Sequence, residues 1–159
     1  MEDLAKKVAR ALKSSGSMLV TAESCTGGWV AQVLTAIPGS SAWFERGFVT
    51  YSNEAKRESL GVSPDTLARH GAVSEETASE MAHGALAHSR GSIALSVTGV
   101  AGPSGGTKLK PVGTVCFAWA RTGGQVRAET RHFSGERESV RRQSVVRALE
   151  GVLEALDGD

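Results

Sequence analysis

The strongest constraint on the fold is an alternation. Along most of the chain, short apolar segments that read as strands are separated by segments with helical periodicity. A first helix covers residues 2–14, with Leu4, Val8, Ala11 and Leu12 at helical spacing and Gly16 as its stop. "SMLVTAES" follows as a short strand, and "TGGWVAQVLTAI" as a second helix closed by "PGSS". A strand around 47–51 leads into the short helix "NEAKRESLG". "SPDTLARHG" starts a helix with Ser63 as cap and Pro64 at its first position. "SEETASEMAHGALAHSRG" is a longer helix, with Ser74 as cap and Glu75 and Glu76 at its positive end. "SIALSVTGVAG" is a buried strand running into a glycine-rich loop. "TVCFAWARTGGQVRAETRHF" reads as two strands joined at Thr122-Gly123-Gly124, a hairpin. A last helix covers about 136–156, with Val145, Leu149, Val152 and Leu156 as its apolar stripe. This order predicts an α/β fold, a three-layer helix–sheet–helix sandwich. The hairpin makes the sheet mixed rather than wholly parallel. With 159 residues and no linker, repeat or low-complexity tract, the chain reads as a single domain over residues 1–159.

Composition narrows the function classes. A net charge of +1 argues against a broad electrostatic grip on nucleic acid or anionic membrane. Two cysteines, Cys25 and Cys116, form neither a disulfide framework nor a metal-ligand cluster, and point to a reducing cytoplasm. The charged, amphipathic N-terminus is no signal peptide, and no apolar run reaches membrane-span length.

Small polar residues and glycines gather at two strand ends, 24–28 and 98–106. In open α/β sheets ligands sit beyond the carboxyl ends of strands, so both loops are candidates for one pocket. Gly27 and Gly28 admit close approach to the backbone. Free N–H groups at a helix start suit a phosphate or a developing oxyanion. Simple helix capping by Ser, Thr and Gly is the competing reading. No Walker A lysine or well-placed G-x-G-x-x-G is present. "TAESCTGGW" sets two nucleophiles side by side, Ser24 and Cys25. A thiol at a helix start is the better intrinsic nucleophile, yet free cysteines are commonly small buried hydrophobes. Chemistry alone leaves the pair undecided.

A serine needs a base. His83 and His88 fall on the surface of the long helix, His70 suits a helix end, and neither these nor His132 sits in a triad context. A buried lysine can serve instead if burial lowers its pKa. Lys56 lies one turn into a short helix, just after the strand end carrying Tyr51. A solvated helix lysine is the simpler reading of that residue. On the last helix, Arg137 and Arg141 share a face four residues apart, where a bound phosphate would relieve their repulsion; a solvated basic face is the simpler alternative. Lys108 and Lys110, in the glycine loop, either steer an anionic ligand or serve solubility.

Five separated blocks, "TAESCTGGWVA", "GSSAWFERGFVTYSNEAK", "HGAVSEETA", "GVAGPSGGT" and "KPVGTV", together resemble the competence/damage-inducible CinA C-terminal domain family, whose standalone members are nicotinamide mononucleotide deamidases. The similarity runs over nearly the whole chain. It implies an amidohydrolase that converts nicotinamide mononucleotide and water to nicotinate mononucleotide and ammonia in pyridine-nucleotide recycling, without metal or other cofactor. Carried onto this chain, the resemblance makes Ser24 the nucleophile, Lys56 the general base and Tyr51 its helper, a proton relay to the leaving ammonia. Thr26, Gly27, Gly28, Asn53, Gly102, Gly105, Gly106, Arg137 and Arg141 become the candidate substrate-binding residues, with backbone N–H groups of 25–28 holding the oxyanion. "SGER" at 134–137 departs from the family's Gly-Asp-Arg: Glu136 replaces the aspartate while Arg137 stays. The expected partner is the small nucleotide substrate, with no nucleic acid or membrane, and a homodimer is the expected assembly. Two rivals remain: a non-catalytic nucleotide-binding module of the same fold, and a cysteine hydrolase using Cys25.

Overall fold

The alternation of apolar and helical segments folds into one α/β sandwich, a computed structural model that describes residues 1–158. Its five strands are β1 (Leu19–Glu23), β2 (Phe44–Val49), β3 (Ile93–Gly99), β4 (Thr114–Arg121) and β5 (Val126–His132). They lie in the order β2-β1-β3-β4-β5. β2, β1 and β3 run parallel; β3, β4 and β5 are antiparallel, so the sheet is mixed, as the hairpin implied. The helices are α1 (Glu2–Ser15), α2 (Trp29–Thr35), α3 (Asn53–Leu60), α4 (Pro64–His70), α5 (Glu75–Ala87) and α6 (Arg137–Asp157). No helix among the described residues is long and apolar enough to cross a membrane.

The central strands are buried on both faces, and side-chain size sorts the two layers. Leu19, Ile93, Leu95, Val97, Val115, Phe117 and Trp119 meet α1, α2 and α6. Their alternating neighbours Val20, Ala22, Ala94, Cys116, Ala118 and Ala120 are mostly small and meet α3 and α5. Small residues let α5 lie close, and α5 in turn meets α3 through Gly84: a Cβ there would stand 1.8 Å from the Leu60 carbonyl oxygen. This contact sets the position of α3, which carries Lys56. α6 is fixed by Trp119, whose indole N–H donates to Ala148 O at 3.0 Å. It is fixed also by Arg147, whose guanidinium joins Glu129 of β5 to Glu154. The predicted caps hold: the hydroxyls of Ser63 and Ser74 accept from Asp65 N and Thr77 N.

Two boundaries differ from the sequence reading. β2 begins and ends earlier than 47–51, at Phe44–Val49, so Tyr51 lies two residues beyond the strand. It is an edge strand, half-exposed, which weakens the apolar alternation that marks strands. α2 starts at Trp29 rather than Thr26, and 24–28 form a separate turn between β1 and the helix.

Candidate active site

The carboxyl ends of β1, β2 and β3 converge on one cavity of about 360 Å³. Ser24 enters it from the end of β1, Tyr51, Asn53 and Lys56 from the segment after β2, and Thr98, Gly102, Ser104 and Gly105 from the end of β3 and its loop. Arg137 closes the rim from the first turn of α6.

Lys56 is the centre of the arrangement. It is only 1% exposed, although it stands on a helix that is otherwise largely solvated. Its ammonium nitrogen lies 3.0 Å from Ser24 Oγ, 3.0 Å from Thr50 O and 3.2 Å from Tyr51 O. Burial lowers its pKa from the usual lysine range, opposed in part by the nearby Cys25 sulfur. Lys56 Nζ donates to all three oxygens, and the Ser24 hydroxyl points to Tyr51 O at 3.5 Å. Once neutral, the amine can keep its two N–H bonds to the carbonyls and turn its lone pair to the Ser24 hydroxyl. That is the geometry of a base bonded to a nucleophile, assembled without histidine. The histidines all lie outside this cavity. His70 sits 3.5 Å from Glu76, His88 bonds Gly84 O, and His132 faces Thr114.

The carbonyl of Tyr51, rather than its phenol, meets Lys56. The side chain is exposed, and its hydroxyl accepts from Arg137 Nη2 at 3.3 Å. Arg137 Nη1 donates to Gly102 O at 2.7 Å, so this guanidinium spans the mouth between the segment after β2 and the glycine loop.

Cys25 also lines the cavity, but burial pushes its thiol up to about 12. Its own backbone N–H opposes the rise and the Glu23 charge adds to it. Almost no thiolate is present at neutral pH, which removes the advantage of sulfur over oxygen.

Several sequence-predicted residues stand elsewhere. Thr26 is fully buried and its hydroxyl donates to Glu23 Oε1 at 2.6 Å. Gly27 N–H donates to Ser24 O and Gly28 N–H to Glu23 Oε1, so neither is free to meet a ligand. Both glycines have positive φ, 60° and 100°, and this conformation turns the chain sharply enough to bring the helix start over the carboxylate. Gly106 and Arg141 do not line the cavity. Arg141 instead donates to Cys25 O and Thr26 O. Lys110 donates to His70 O, and neither it nor Lys108 reaches the cavity.

The residue that the sequence reading passes over is Glu23. It is fully buried at the end of β1 and accepts four hydrogen bonds, from Thr26 Oγ1, Gly28 N, Val30 N and Ala31 N. It thus absorbs the positive end of α2 that looked available to a ligand. The available signal was a carboxylate closing an apolar strand immediately before a helix start.

Comparison with known proteins follows the same outline. The sequence profile of the CinA C-terminal domain matches residues 1–156. The chain is 57% identical over 147 residues to the nicotinamide-nucleotide amidohydrolase PncC of Escherichia coli (strain K12), covering 92% of this chain and 89% of that one. It is 50% identical over 151 residues to the PncC of Pseudomonas putida, covering 95% and 94% respectively. The crystal structure of the competence/damage inducible protein CihA from Agrobacterium tumefaciens superposes with a TM-score of 0.93 at 49% identity, over 98% of this chain and 94% of that one. A match of this extent, in sequence and in fold, means that the chain belongs to the CinA C-terminal domain family.

Proposed function

We propose that this protein is an amide hydrolase that removes ammonia from the carboxamide of nicotinamide mononucleotide, giving nicotinate mononucleotide, by a Ser24–Lys56 mechanism. The observation that carries the reading is the 3.0 Å contact between a buried, pKa-lowered Lys56 and Ser24 at the strand ends. The relatives named as nicotinamide-nucleotide amidohydrolases support the substrate class.

The chemistry runs in two halves. Neutral Lys56 takes the Ser24 proton as Oγ attacks the carboxamide carbon. The tetrahedral oxyanion needs N–H donors. Gly27 and Gly28 are committed internally and Thr26 does not line the cavity, so the Cys25 N–H, next to Ser24 and on the cavity wall, is the donor of this turn placed nearest the reaction. Collapse of the intermediate breaks the C–N bond, and the proton held on Lys56 passes to the departing nitrogen. Water, deprotonated by Lys56, then attacks the acyl carbon; the C–Oγ bond breaks, and the proton on Lys56 passes to Ser24 Oγ. Arg137 at the rim is placed to meet the substrate phosphate, with Asn53 and the backbone of Gly102 and Gly105 lining the path inward.

Turnover of nicotinamide mononucleotide against nicotinamide riboside tests the reading. Ammonia release from the nucleotide, with a large preference over the riboside, is the expected result. Binding of the nucleotide without ammonia release would make the protein a nucleotide-binding module instead.

A further inference from the structure

On the hydrolase reading above, we propose that Arg141 is a positioning residue that holds in place the turn following the Ser24 nucleophile, rather than a ligand of the substrate phosphate.

Arg141 stands one helical turn after Arg137, on the same side of α6, which is the arrangement of a two-arginine anion site. Its hydrogen bonds give it another task. Nε donates to Cys25 O at 3.0 Å and Nη2 to Thr26 O at 3.1 Å, so two of its three nitrogens are committed to the backbone. The guanidinium also lies over the Trp29 ring, 5.5 Å from its centroid, and a Cβ on Gly27 would stand 3.4 Å from Nη2. The guanidinium lies outside the cavity that holds Ser24, on an open depression that it shares with Trp29, Arg137 and Glu138.

The consequence follows from peptide geometry. In a trans peptide the C=O and the next N–H point in opposite directions. Holding Cys25 O toward α6 turns the Thr26 N–H away from α6. Meanwhile Glu23 grips the same turn through Gly28 N, Val30 N and Ala31 N and the Thr26 hydroxyl. A cation on the carbonyls and an anion on the amides fix the turn from two sides, beginning at the residue that follows Ser24. A planar fork is suited to two adjacent carbonyls in a way that a lysine ammonium is not.

Arg141→Met keeps the aliphatic stem against Trp29 and removes the fork; Arg141→Lys keeps the charge. Two readouts separate the roles: the kcat and KM for nicotinamide mononucleotide, and the rate at which an alkyl fluorophosphonate phosphonylates Ser24, which involves no phosphate subsite. The expected result for Arg141→Met is a fall of about 10²-fold in both kcat and phosphonylation rate, since small misplacements of reacting groups cost that much. KM should stay within about threefold. Arg141→Lys should recover less than about a tenth of the lost rate, and it carries the same test if Arg141→Met does not fold. A KM raised tenfold or more with both rates intact would make Arg141 a phosphate ligand and overturn the proposal, as would no change in any of the three quantities. Wild-type protein that is phosphonylated at Ser24 but releases no ammonia from the nucleotide would overturn the proposed substrate while leaving the positioning role open to the phosphonylation readout.

Discussion

Replacing Lys56 with methionine keeps the length and apolar stem of the side chain and deletes the nitrogen. Three contacts go with it, to Ser24 Oγ, Thr50 O and Tyr51 O. Loss of a positioned general base costs about 10²–10⁴-fold in kcat. The upper part of that range is expected here, because no histidine lines the cavity to substitute. The pH dependence sharpens the test. Lys56 must be neutral to act, and burial lowers its pKa from the model-peptide value of 10.5. Wild-type kcat/KM should therefore rise with pH along a limb whose midpoint lies below 10.5, and Lys56→Met should lack that limb. The same shift has a stability consequence. Between its folded pKa and 10.5, Lys56 holds fewer protons folded than unfolded, so wild-type stability should increase with pH across that window relative to Lys56→Met. The slope within the window is at most about 1.4 kcal/mol per pH unit, the limit for one proton. Steady-state ammonia release and urea denaturation at stepped pH measure the two effects. A Lys56→Met variant that keeps more than about a tenth of wild-type kcat, or the same rising limb, would remove Lys56 as the base.

Other outcomes follow from the same geometry. Arg137→Ala should raise KM for nicotinamide mononucleotide by about 10–100-fold, the worth of a charge-assisted hydrogen bond, with kcat little changed; steady-state kinetics with an unchanged KM would take Arg137 out of the phosphate site. Gly84→Ala should destabilise the fold by about 3 kcal/mol, because the new Cβ meets the Leu60 backbone, which cannot move as a flexible side chain would. A thermal melt should then show a Tm lower by roughly 6–12 °C, and an unchanged Tm would mean that α3 and α5 are not locked together at this point.

Much of the layered fold was legible because it rests on local signals. The periodicity of α1, the caps Ser63 and Ser74, and the glycine hairpin between β4 and β5 each declare an element without tertiary help. β2 was misplaced because an edge strand need not alternate cleanly, and its Phe44–Arg46 half carries two charged residues. At the site, Ser24, Tyr51 and Lys56 stand out as candidates in the sequence itself, and the family resemblance chooses Ser24 over Cys25 and assigns the roles. The burial of Lys56 is a tertiary fact that "NEAKRESLG", a polar helix, does not reveal. The reading of Gly27 and Gly28 as ligand donors failed for a similar reason. Free N–H groups at a helix start invite an anion, and here the chain supplies its own in Glu23. Arg141 was paired with Arg137 by helical spacing, which shows a shared face but not that the Cys25 and Thr26 carbonyls already occupy its fork.

The central claim is that the oxygen of Ser24, and not the sulfur of Cys25 beside it, attacks the carboxamide. The direct measurement is ammonia release from nicotinamide mononucleotide by Ser24→Ala and Cys25→Ala, compared with wild type. The account predicts that Ser24→Ala loses at least about 10³-fold in kcat while Cys25→Ala, whose thiol is pushed up to about 12, stays active. Retained activity in Ser24→Ala together with its loss in Cys25→Ala would contradict it.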